Sequence, residues 1–383
     1  MKQNNTMIPF NKPYLSGNEL DYIKQSIDSG CISGNGEFTR KCHWFFKERY
    51  GFDKCLLTTS CTDALEMASI LLDVKDGDEI IMPSFTFVST ANPFVLRGAK
   101  IVFADSSALH PNIDVEKIEG LITSKTKAIV PVHYAGIACM MDKIMAIADQ
   151  YNLFVVEDAA QSIASYYNDR PIGSIGHLAA FSFHETKNIV CGEGGMLVIN
   201  DDRFIKRAEI IWEKGTNRAE FYRGEVDKYG WKDIGSSFLP SDIVAAYLFA
   251  QLENIETIQS KRKSIWRQYH DGLKKLEDDE FIKLPYIPEY ATNNAHLFYI
   301  LCRNQSIRNE LLSFLKNNHI NAVFHYLPLH RSDFYSGIHG DRQLPWCDYY
   351  SECLIRLPIY CELSEKNIEK IIGCIYEYFR RRP

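Results

Sequence analysis

The stretch LFVVEDAAQS (Leu153–Ser162) begins with apolar and β-branched residues and then turns into carboxylates and small residues. A short run without polar alternation is typical of a strand in a parallel sheet that is covered on both faces. Glu157 and Asp158 follow the run directly, which predicts that they stand at the carboxyl end of the strand. Ligands of open α/β sheets bind outside that end. An Asp there also commonly caps the following helix, so Asp158 alone does not decide between the two roles.

Similar runs recur through the first half of the chain and alternate with helical patterns, which begin at Cys61 and Met141. The β-α-β-α order predicts an α/β fold with a mostly parallel sheet. The strand-like runs are EIIMPSFTF (Glu79–Phe87), AKIVFADSS (Ala99–Ser107), KAIVPVHYAG (Lys127–Gly136), HLAAFSFH (His177–His184) and MLVIN (Met196–Asn200).

The pattern changes at Ser241. SDIVAAYLFAQLENIETIQSKRKSIWRQYHDGLKKL predicts one long helix with Ser241 as its cap. Beyond it, AHLFYILCR, AVFHY and LIRLPIY predict strands, and IRNELLSFLKNN and SEKNIEKIIGCIYEYFRR predict helices. We therefore predict a large α/β domain over residues 1–255 and a smaller α+β domain over residues 256–383.

Composition limits the classes of function. The chain has 383 residues, of which 46% are hydrophobic, and a net charge of -6. This mild acidity argues against a protein that coats nucleic acid or anionic membrane. The eleven cysteines show no C-x-x-C pair and no metal-type spacing to a histidine, which indicates reduced thiols and no metal site. MKQNNTMIPF carries no signal peptide pattern and no apolar run is long enough to span a membrane, so we expect a soluble, cytoplasmic protein.

The stretch FSFHETKNIVCGEGG (Phe181–Gly195) places Lys187 between an apolar run and three glycines. A lysine before a turn is usually a solvated surface charge. In a partly dry crevice, however, the amine loses some preference for its charged form and becomes a nucleophile toward aldehydes. A lysine that forms an imine, together with an acid that keeps a pyridine nitrogen protonated, is what pyridoxal 5'-phosphate (PLP) requires. Lys187 and Asp158 are therefore candidate catalytic residues, and Gln161 follows Asp158 closely enough to share its ligand.

Two further features suit a phosphorylated, aromatic cofactor. Cys61, Thr62 and Asp63 stand at the predicted start of a helix, where free N–H groups and the helix dipole favour an anion. A simple N-cap is the alternative interpretation. Phe87, at the end of a strand-like run, offers a ring to stack on a pyridine, and the alternative is packing in the core.

In this order, EDAAQS, SFHETKNIVCGEGG, MPSFTFVSTAN and AVFHYLPLH resemble the PLP-dependent nucleotide-sugar aminotransferases of the DegT/StrS type, a fold-type-I family. Within that family the chain is most similar to transaminases that act on dTDP-4-keto-6-deoxy-D-glucose. This closer resemblance is carried by IPFNKPYLSGNEL, TSCTDALEMA, FVSTANPFVLRGAKIVF, EKGTNRAEFYRGEVDKYGWKDIGSS and AVFHYLPLH.

The resemblance implies a role for each candidate residue. Lys187 matches the lysine that holds PLP covalently, Asp158 the partner of the pyridine nitrogen, and Gln161 the group beside the ring hydroxyl. The other cofactor contacts that it implies are Ser182 and the Cys61–Thr62–Asp63 backbone for the phosphate, and Phe87 for stacking. It places three residues of the smaller domain near the sugar nucleotide: His325, Tyr326 and His330.

The chain departs from the family in one segment. Many members carry G-x-N-x-R before the long helix, and its Asn reaches the cofactor phosphate of the neighbouring subunit. This chain has GSSFLPSD, with Ser237 at the Asn position and Leu239 at the Arg position. A serine hydroxyl can still bind phosphate, whereas leucine cannot replace the charge. The loop from Glu213 to Trp231 offers cations for the nucleotide diphosphate: Lys214, Arg218, Arg223 and Lys228.

The resemblance implies a ping-pong transamination in a homodimer with shared active sites. L-glutamate would be the donor, Lys187 would shuttle the proton, and pyridoxamine phosphate would be the intermediate form of the cofactor. The product would be a dTDP-4-amino-4,6-dideoxyhexose, gluco or galacto, for O-antigen of lipopolysaccharide or another surface polysaccharide. Three alternatives are a sugar dehydratase, which has histidine in place of Lys187, an aminotransferase for 3-keto sugar nucleotides, and a non-catalytic PLP-binding regulator.

Overall fold

The computed structural model describes residues 7–381. The first six residues of MKQNNTMIPF, on which the expectation about a signal peptide partly rests, therefore lie outside the described residues. None of the helices within residues 7–381 is long and apolar enough to cross a bilayer.

The described residues form thirteen α-helices and twelve strands. The helices are α1 (Glu19–Asp28), α2 (Glu37–Tyr50), α3 (Cys61–Leu71), α4 (Asn92–Val95), α5 (Met141–Tyr151), α6 (Ile205–Trp212), α7 (Arg218–Tyr222), α8 (Asp242–Glu253), α9 (Ile255–Asp278), α10 (Gln305–Asn317), α11 (Ser336–His339), α12 (Pro345–Cys353) and α13 (Glu365–Arg380). The strands are β1 (Cys55–Thr58), β2 (Glu79–Pro83), β3 (Lys100–Ala104), β4 (Thr126–Ile129), β5 (Phe154–Asp158), β6 (Tyr166–Tyr167), β7 (Arg170–Pro171), β8 (Leu178–Ser182), β9 (Gly195–Ile199), β10 (Ile282–Lys283), β11 (Phe298–Cys302) and β12 (Leu354–Leu357).

The main sheet has seven strands in the order β1-β9-β8-β5-β4-β2-β3. Neighbours from β8 to β3 pair in parallel, and only β9 runs against the rest, because it pairs antiparallel with both β1 and β8. The predicted α/β fold with a mostly parallel sheet is thus confirmed. The runs that predicted it are apolar on both sides because helices cover both faces of the sheet.

The smaller part of the chain has its own antiparallel sheet, β10-β11-β12. Its strands share a core with apolar residues of α9, α10 and α13, such as Tyr269, Leu311 and Ile371. The predicted strands over AHLFYILCR and LIRLPIY and both predicted helices are present. The division at residue 255 remains a prediction.

Two elements differ from the sequence prediction. The long helix is two helices, α8 and α9, separated at Asn254. The side-chain amide of Asn254 donates to the Ala250 carbonyl (3.0 Å), so it competes with the helical backbone at this point. Ser241 caps α8 as predicted, since its hydroxyl accepts from Val244 N–H (3.4 Å).

AVFHY is not a strand and keeps only a bridge between Val323 and Arg356. The rings of the consecutive residues His325 and Tyr326 stack on each other, with centroids 3.6 Å apart. Successive side chains of a strand point to opposite faces, so this stacking is incompatible with a regular strand.

The outer edge of the main sheet is strand β3, which pairs only with β2. Residues from the C-terminal part of the chain cover this edge. The Tyr335 hydroxyl accepts from the Ile101 N–H, and the Arg342 guanidinium donates to the Phe103 carbonyl. The Ile101 N–H and the Phe103 carbonyl, on the open side of β3, therefore have side-chain partners.

Candidate active site

Asp158 ends β5 and Ser182 ends the adjacent β8, so both stand at the carboxyl edge of the parallel strands. Helix α3 begins at the same edge, after β1. Gly195 of β9 shows how closely these elements meet, because a Cβ atom there would lie 2.3 Å from the Ser60 carbonyl carbon and 2.4 Å from the Cys61 nitrogen. Only glycine allows the start of α3 to lie directly on the strand.

Lys187 lies in the loop between β8 and β9 and is half-buried. Burial lowers the pKa of its amine, the charge of Arg356 lowers it further, and the proximity of Cys61 and Asp158 only partly offsets the effect. Cys61 begins α3 and Asp158 ends β5, so the sequence-predicted lysine, acid and helix start form one cluster. A desolvated amine with a lowered pKa is the state that the predicted nucleophile needs.

Asp158 is buried and held by two hydrogen bonds. Its carboxylate accepts from the Thr90 hydroxyl (2.6 Å) and from the Ala160 N–H (3.1 Å). The Thr90 hydroxyl is in turn 2.7 Å from that of Thr86. One oxygen of Asp158 accepts from the N–H two residues after it, as a cap would. The other oxygen is held by Thr90 from a different segment, which sets the orientation of the carboxylate.

Glu157, which precedes Asp158, has a structural environment that sequence reasoning missed. Its carboxylate lies 3.0 Å from the His133 Nε2 and accepts the N–H groups of Gly173, Ile175 and Gly176 (2.6–3.0 Å). Burial raises the pKa of Glu157, but the hydrogen bonds outweigh burial and the pKa is lowered. The fully buried carboxylate anchors the loop before β8 to the end of β5.

Gln161 joins the two parts of the chain. Its side-chain oxygen accepts from the Ala135 N–H (2.7 Å), and its amide donates to the Tyr326 hydroxyl (3.0 Å). The Tyr326 ring lies 6.2 Å from that of Phe87. Phe87 is 55% exposed, so packing in the core, the alternative interpretation, is wrong for this ring.

The predicted phosphate-binding segment, Cys61–Thr62–Asp63, forms the first turn of α3. The Ser60 hydroxyl caps it by accepting from the Asp63 N–H (3.0 Å), and the Thr62 hydroxyl donates to that of Ser89 (2.9 Å). The N–H groups in the first turn of a helix have no partner within the helix, so those of Cys61 and Thr62 suit an anion. Ser182, at the end of β8, is buried, and its hydroxyl accepts only a long bond from the His184 N–H (3.4 Å).

These residues fit PLP. The chemistry of the donor set matches each part of the cofactor: an amine of lowered pKa, a fixed carboxylate, helix N–H groups beside hydroxyls, and an exposed aromatic ring. Hydrogen bonds connect the acid to the helix start, because Thr90, which binds Asp158, follows Ser89, which binds Thr62 in the first turn of α3. Lys187 lies close enough to Cys61 and Asp158 for their charges to affect the pKa of its amine.

The three residues assigned to the sugar nucleotide separate in the structure. His325 and Tyr326 belong to the cluster, and the His325 Nδ1 lies 2.6 Å from the Tyr134 hydroxyl. His330 does not, because its Nδ1 lies 2.8 Å from the Ser84 hydroxyl and its Nε2 lies 3.3 Å from the Asp348 carboxylate. The His330 ring therefore lies against Ser84 and Asp348, with a hydrogen bond at its Nδ1.

Ser237 and Lys214 lie elsewhere, around a cavity of about 540 Å³. Both are exposed, and Leu239 lines the same cavity. Among the loop cations, Arg218 also lines it, whereas Arg223 pairs with Glu209 and Glu225. Lys187 is not among the residues that line this cavity.

A family model described as the DegT/DnrJ/EryC1/StrS aminotransferase family matches residues 13–376. The spore coat polysaccharide biosynthesis protein SpsC of Bacillus subtilis is 30% identical over 385 residues, which cover 98% of each chain. The GDP-perosamine synthase of Vibrio cholerae is 30% identical over 379 residues, which cover 97% of this chain and 99% of that protein. The crystal structure of S. venezuelae DesV in complex with a ketimine intermediate superposes with a TM-score of 0.89 at 28% identity and covers 99% of this chain and 100% of that one.

Proposed function

The chain belongs to the DegT/DnrJ/EryC1/StrS aminotransferase family of PLP-dependent sugar aminotransferases, and on this premise we propose that it moves the amino group of L-glutamate to carbon 4 of dTDP-4-keto-6-deoxy-D-glucose. The expected fold-type-I architecture is confirmed with the family. The observation that carries the proposal is that hydrogen bonds through Ser89 and Thr90 connect Asp158 to the start of α3, with the half-buried Lys187 beside them.

PLP, when bound, supplies an aldehyde for amines and a ring that accepts electrons. The residues assigned to it keep their roles in the proposal: Lys187 as its covalent attachment, Asp158 at the ring nitrogen, Gln161 beside the ring hydroxyl, Phe87 at the ring face, and Ser182, Cys61, Thr62 and Asp63 at the phosphate. The Lys187 amine takes the proton from the α-carbon of the donor and returns a proton to the keto carbon of the sugar, for which a lowered pKa is required.

We propose a homodimer in which Ser237 contacts the cofactor phosphate of the partner subunit. Ser237 supports this arrangement because its side chain is exposed and lies apart from the cluster of its own chain. Lys214, beside the same cavity, is assigned to the sugar nucleotide, together with His325 and Tyr326. His330 leaves this assignment because its ring lies against Ser84 and Asp348, which are not among the residues assigned to the cofactor or the sugar nucleotide.

The product is a dTDP-4-amino-4,6-dideoxyhexose for O-antigen or another surface polysaccharide. Two relatives support a role in amino-sugar or polysaccharide synthesis by their names, SpsC and GDP-perosamine synthase. Lys187 disfavours the dehydratase alternative, which has histidine at this position. The presence of Lys187, Asp158 and Gln161 together disfavours a non-catalytic PLP-binding regulator.

The test is to incubate the PLP-loaded protein with L-glutamate and measure 2-oxoglutarate and the cofactor absorbance. The aminated enzyme then receives a dTDP-4-keto, a GDP-4-keto or a 3-keto sugar nucleotide, and NMR of the product shows the carbon that was aminated. We expect amination at carbon 4 of the dTDP sugar. Faster turnover of the GDP sugar or the 3-keto sugar would contradict the substrate, and no 2-oxoglutarate would contradict transamination from glutamate.

Lys187→Ala tests the assignment of the lysine. We expect the variant to fold and to bind pyridoxamine phosphate, while turnover falls by about 10³-fold or more because the proton carrier is lost. Lys263→Ala, which removes an exposed lysine of α9, is the control and should keep wild-type turnover. Near-normal turnover of Lys187→Ala would overturn its role.

A further inference from the structure

Arg356 is a half-buried arginine at the third position of β12. Its Nε and Nη2 donate to the Phe324 carbonyl (3.4 and 3.1 Å), and its guanidinium lies 4.7 Å from the centre of the Phe10 ring. No Asp or Glu within residues 7–381 forms an ion pair with it, whereas Arg331 of the same region pairs with Asp348 and Glu352. A half-buried guanidinium with unused donors and no counter-charge is a site for an anion.

Two connections place Arg356 beside the cluster. On one side, the Phe10 ring packs on the guanidinium, and the neighbouring Asn11 donates to the carbonyl of Glu185 (3.0 Å), two residues before Lys187. The guanidinium therefore approaches the loop that carries the cofactor lysine.

On the other side, Arg356 holds the carbonyl of Phe324, and Tyr326 in the same segment accepts from Gln161. The charge of Arg356 also acts on the groups between these connections. Its proximity adds to the effect of burial in lowering the pKa of Lys187 and of His325.

The sequence shows that a charge is missing elsewhere. Leu239 stands where the resemblance leads us to expect an arginine, and no substrate charge can be met there. An aminotransferase for glutamate must still bind its carboxylates, since an anion buried without a partner is strongly disfavoured.

Building on the proposed function, we propose that Arg356 binds a carboxylate of the amino donor, a dicarboxylic amino acid. The α-carboxylate is attached to the carbon that reacts, so a group that binds the donor has to lie close to the Lys187 amine. The diphosphate of the sugar nucleotide, in contrast, is separated from the reacting carbon 4 by the hexose ring. The planar guanidinium can meet a carboxylate with two parallel hydrogen bonds, which gives both affinity and orientation.

Glutarate, a dicarboxylate that has no amine and cannot react, gives a direct binding test. Its affinity for the PLP-loaded protein is measured by titration calorimetry. We expect Arg356→Gln to weaken binding by about 10- to 100-fold, as for loss of a charged hydrogen bond. The control is Arg308→Gln, because Arg308 also lies near Phe324, 6.0 Å from its ring, but donates to the Glu352 carbonyl. Equal binding by Arg356→Gln, or no binding by the wild type, would overturn the proposal.

If Arg356→Gln fails to fold, Arg356→Lys provides a second test. This variant keeps a positive charge but cannot form the two parallel hydrogen bonds of a guanidinium with a carboxylate. We expect it to bind glutarate about 3- to 10-fold more weakly than the wild type, because a point charge replaces a bidentate donor. Unchanged glutarate binding by Arg356→Lys would show that the two parallel hydrogen bonds are not formed, and this result would overturn the proposal.

The two half-reactions separate the donor from the sugar nucleotide. In single turnovers, Arg356→Gln should raise the glutamate concentration needed for half-maximal rate by about 10- to 100-fold and leave the reaction of the pyridoxamine phosphate enzyme with the sugar nucleotide near normal. A defect confined to the sugar nucleotide would assign Arg356 to the diphosphate and refute a donor site. If the wild type does not transaminate glutamate, the proposed function fails, while glutarate binding still decides the role of Arg356.

Discussion

At the scale of single residues, Lys187 occupies a position where its charge does not stabilise the folded protein. Lys187 is half-buried and forms no ion pair within residues 7–381, and burial lowers the pKa of its amine. A depressed pKa means that the unfolded chain holds this proton more tightly, so the folded protein loses stability for as long as the amine is charged. Activity and stability therefore make opposite demands on this position.

We expect Lys187→Met to stabilise the PLP-free protein by about 1–3 °C in Tm near neutral pH, since a buried charge is exchanged for an apolar chain of similar length. The difference should shrink as pH rises from the lowered pKa toward about 10.5, because the wild-type amine then becomes neutral in both states. Thermal melts at about pH 7 and about pH 9.5 measure it. Lys263→Met is the matched control, and a stability gain that is constant with pH would contradict the interpretation.

Sequence patterns indicated Lys187 and Asp158 because each lies near the end of a strand-like run, and the carboxyl edge of a parallel sheet brings such positions together. They could not locate the Arg356 or His133 contacts, which depend on packing between distant segments. His330 was misplaced for the same reason, since neither Ser84 nor Asp348 is near it in the sequence.

At the scale of elements, the loop before β8 depends on one carboxylate. Glu157 accepts from three backbone N–H groups and contacts His133. We expect Glu157→Gln to lower the free energy of unfolding by about 2–4 kcal/mol at neutral pH, because the amide can accept with only one atom and leaves buried donors unpaired.

The stabilisation by Glu157 should depend on pH in a defined direction. Its pKa is lowered in the folded protein, so the contribution is complete above the unfolded pKa of about 4.3 and is lost as pH falls through the folded pKa. Urea denaturation at several pH values measures the difference between wild type and Glu157→Gln, with the exposed Glu369→Gln as control. If the difference in free energy of unfolding between wild type and Glu157→Gln does not become smaller below about pH 4, the interpretation that an ionised Glu157 stabilises the folded protein is wrong.

Six of the seven strands of the main sheet could be predicted because their patterns are local, and β1 was not identified. The other elements that were not identified are α1, α2, α4, α6, α7, α11, α12, β6, β7 and β10. The break at Asn254 and the missing strand at AVFHY were not visible either. Each depends on a side-chain contact that the sequence pattern does not reveal. The Asn254 amide donates to a backbone carbonyl, and the His325 ring stacks on Tyr326.

At the scale of the whole molecule, the proposed homodimer makes each active site a product of two chains. Mixed dimers of Lys187→Ala and Ser237→Trp test this. Each single variant should be nearly inactive, but a mixed dimer contains one site with an intact lysine and an intact serine. After unfolding and refolding together in equal amounts, the mixture should regain about a quarter of wild-type activity. Activity no higher than the mean of the two separate variants would contradict sharing, and refolded wild type is the control.

The side chains that bind the open side of strand β3 have a consequence for truncated forms of this protein. Tyr335 and Arg342 come from the far end of the chain, yet they occupy the hydrogen-bonding groups of an outer strand of the first sheet. A truncated chain that ends after α9 would expose the unpaired N–H and carbonyl groups of this strand. We expect such molecules to pair through their exposed strands and to aggregate as inclusion bodies. Structural work on the part that carries the seven-stranded sheet alone would thus have to supply a substitute for the missing cover.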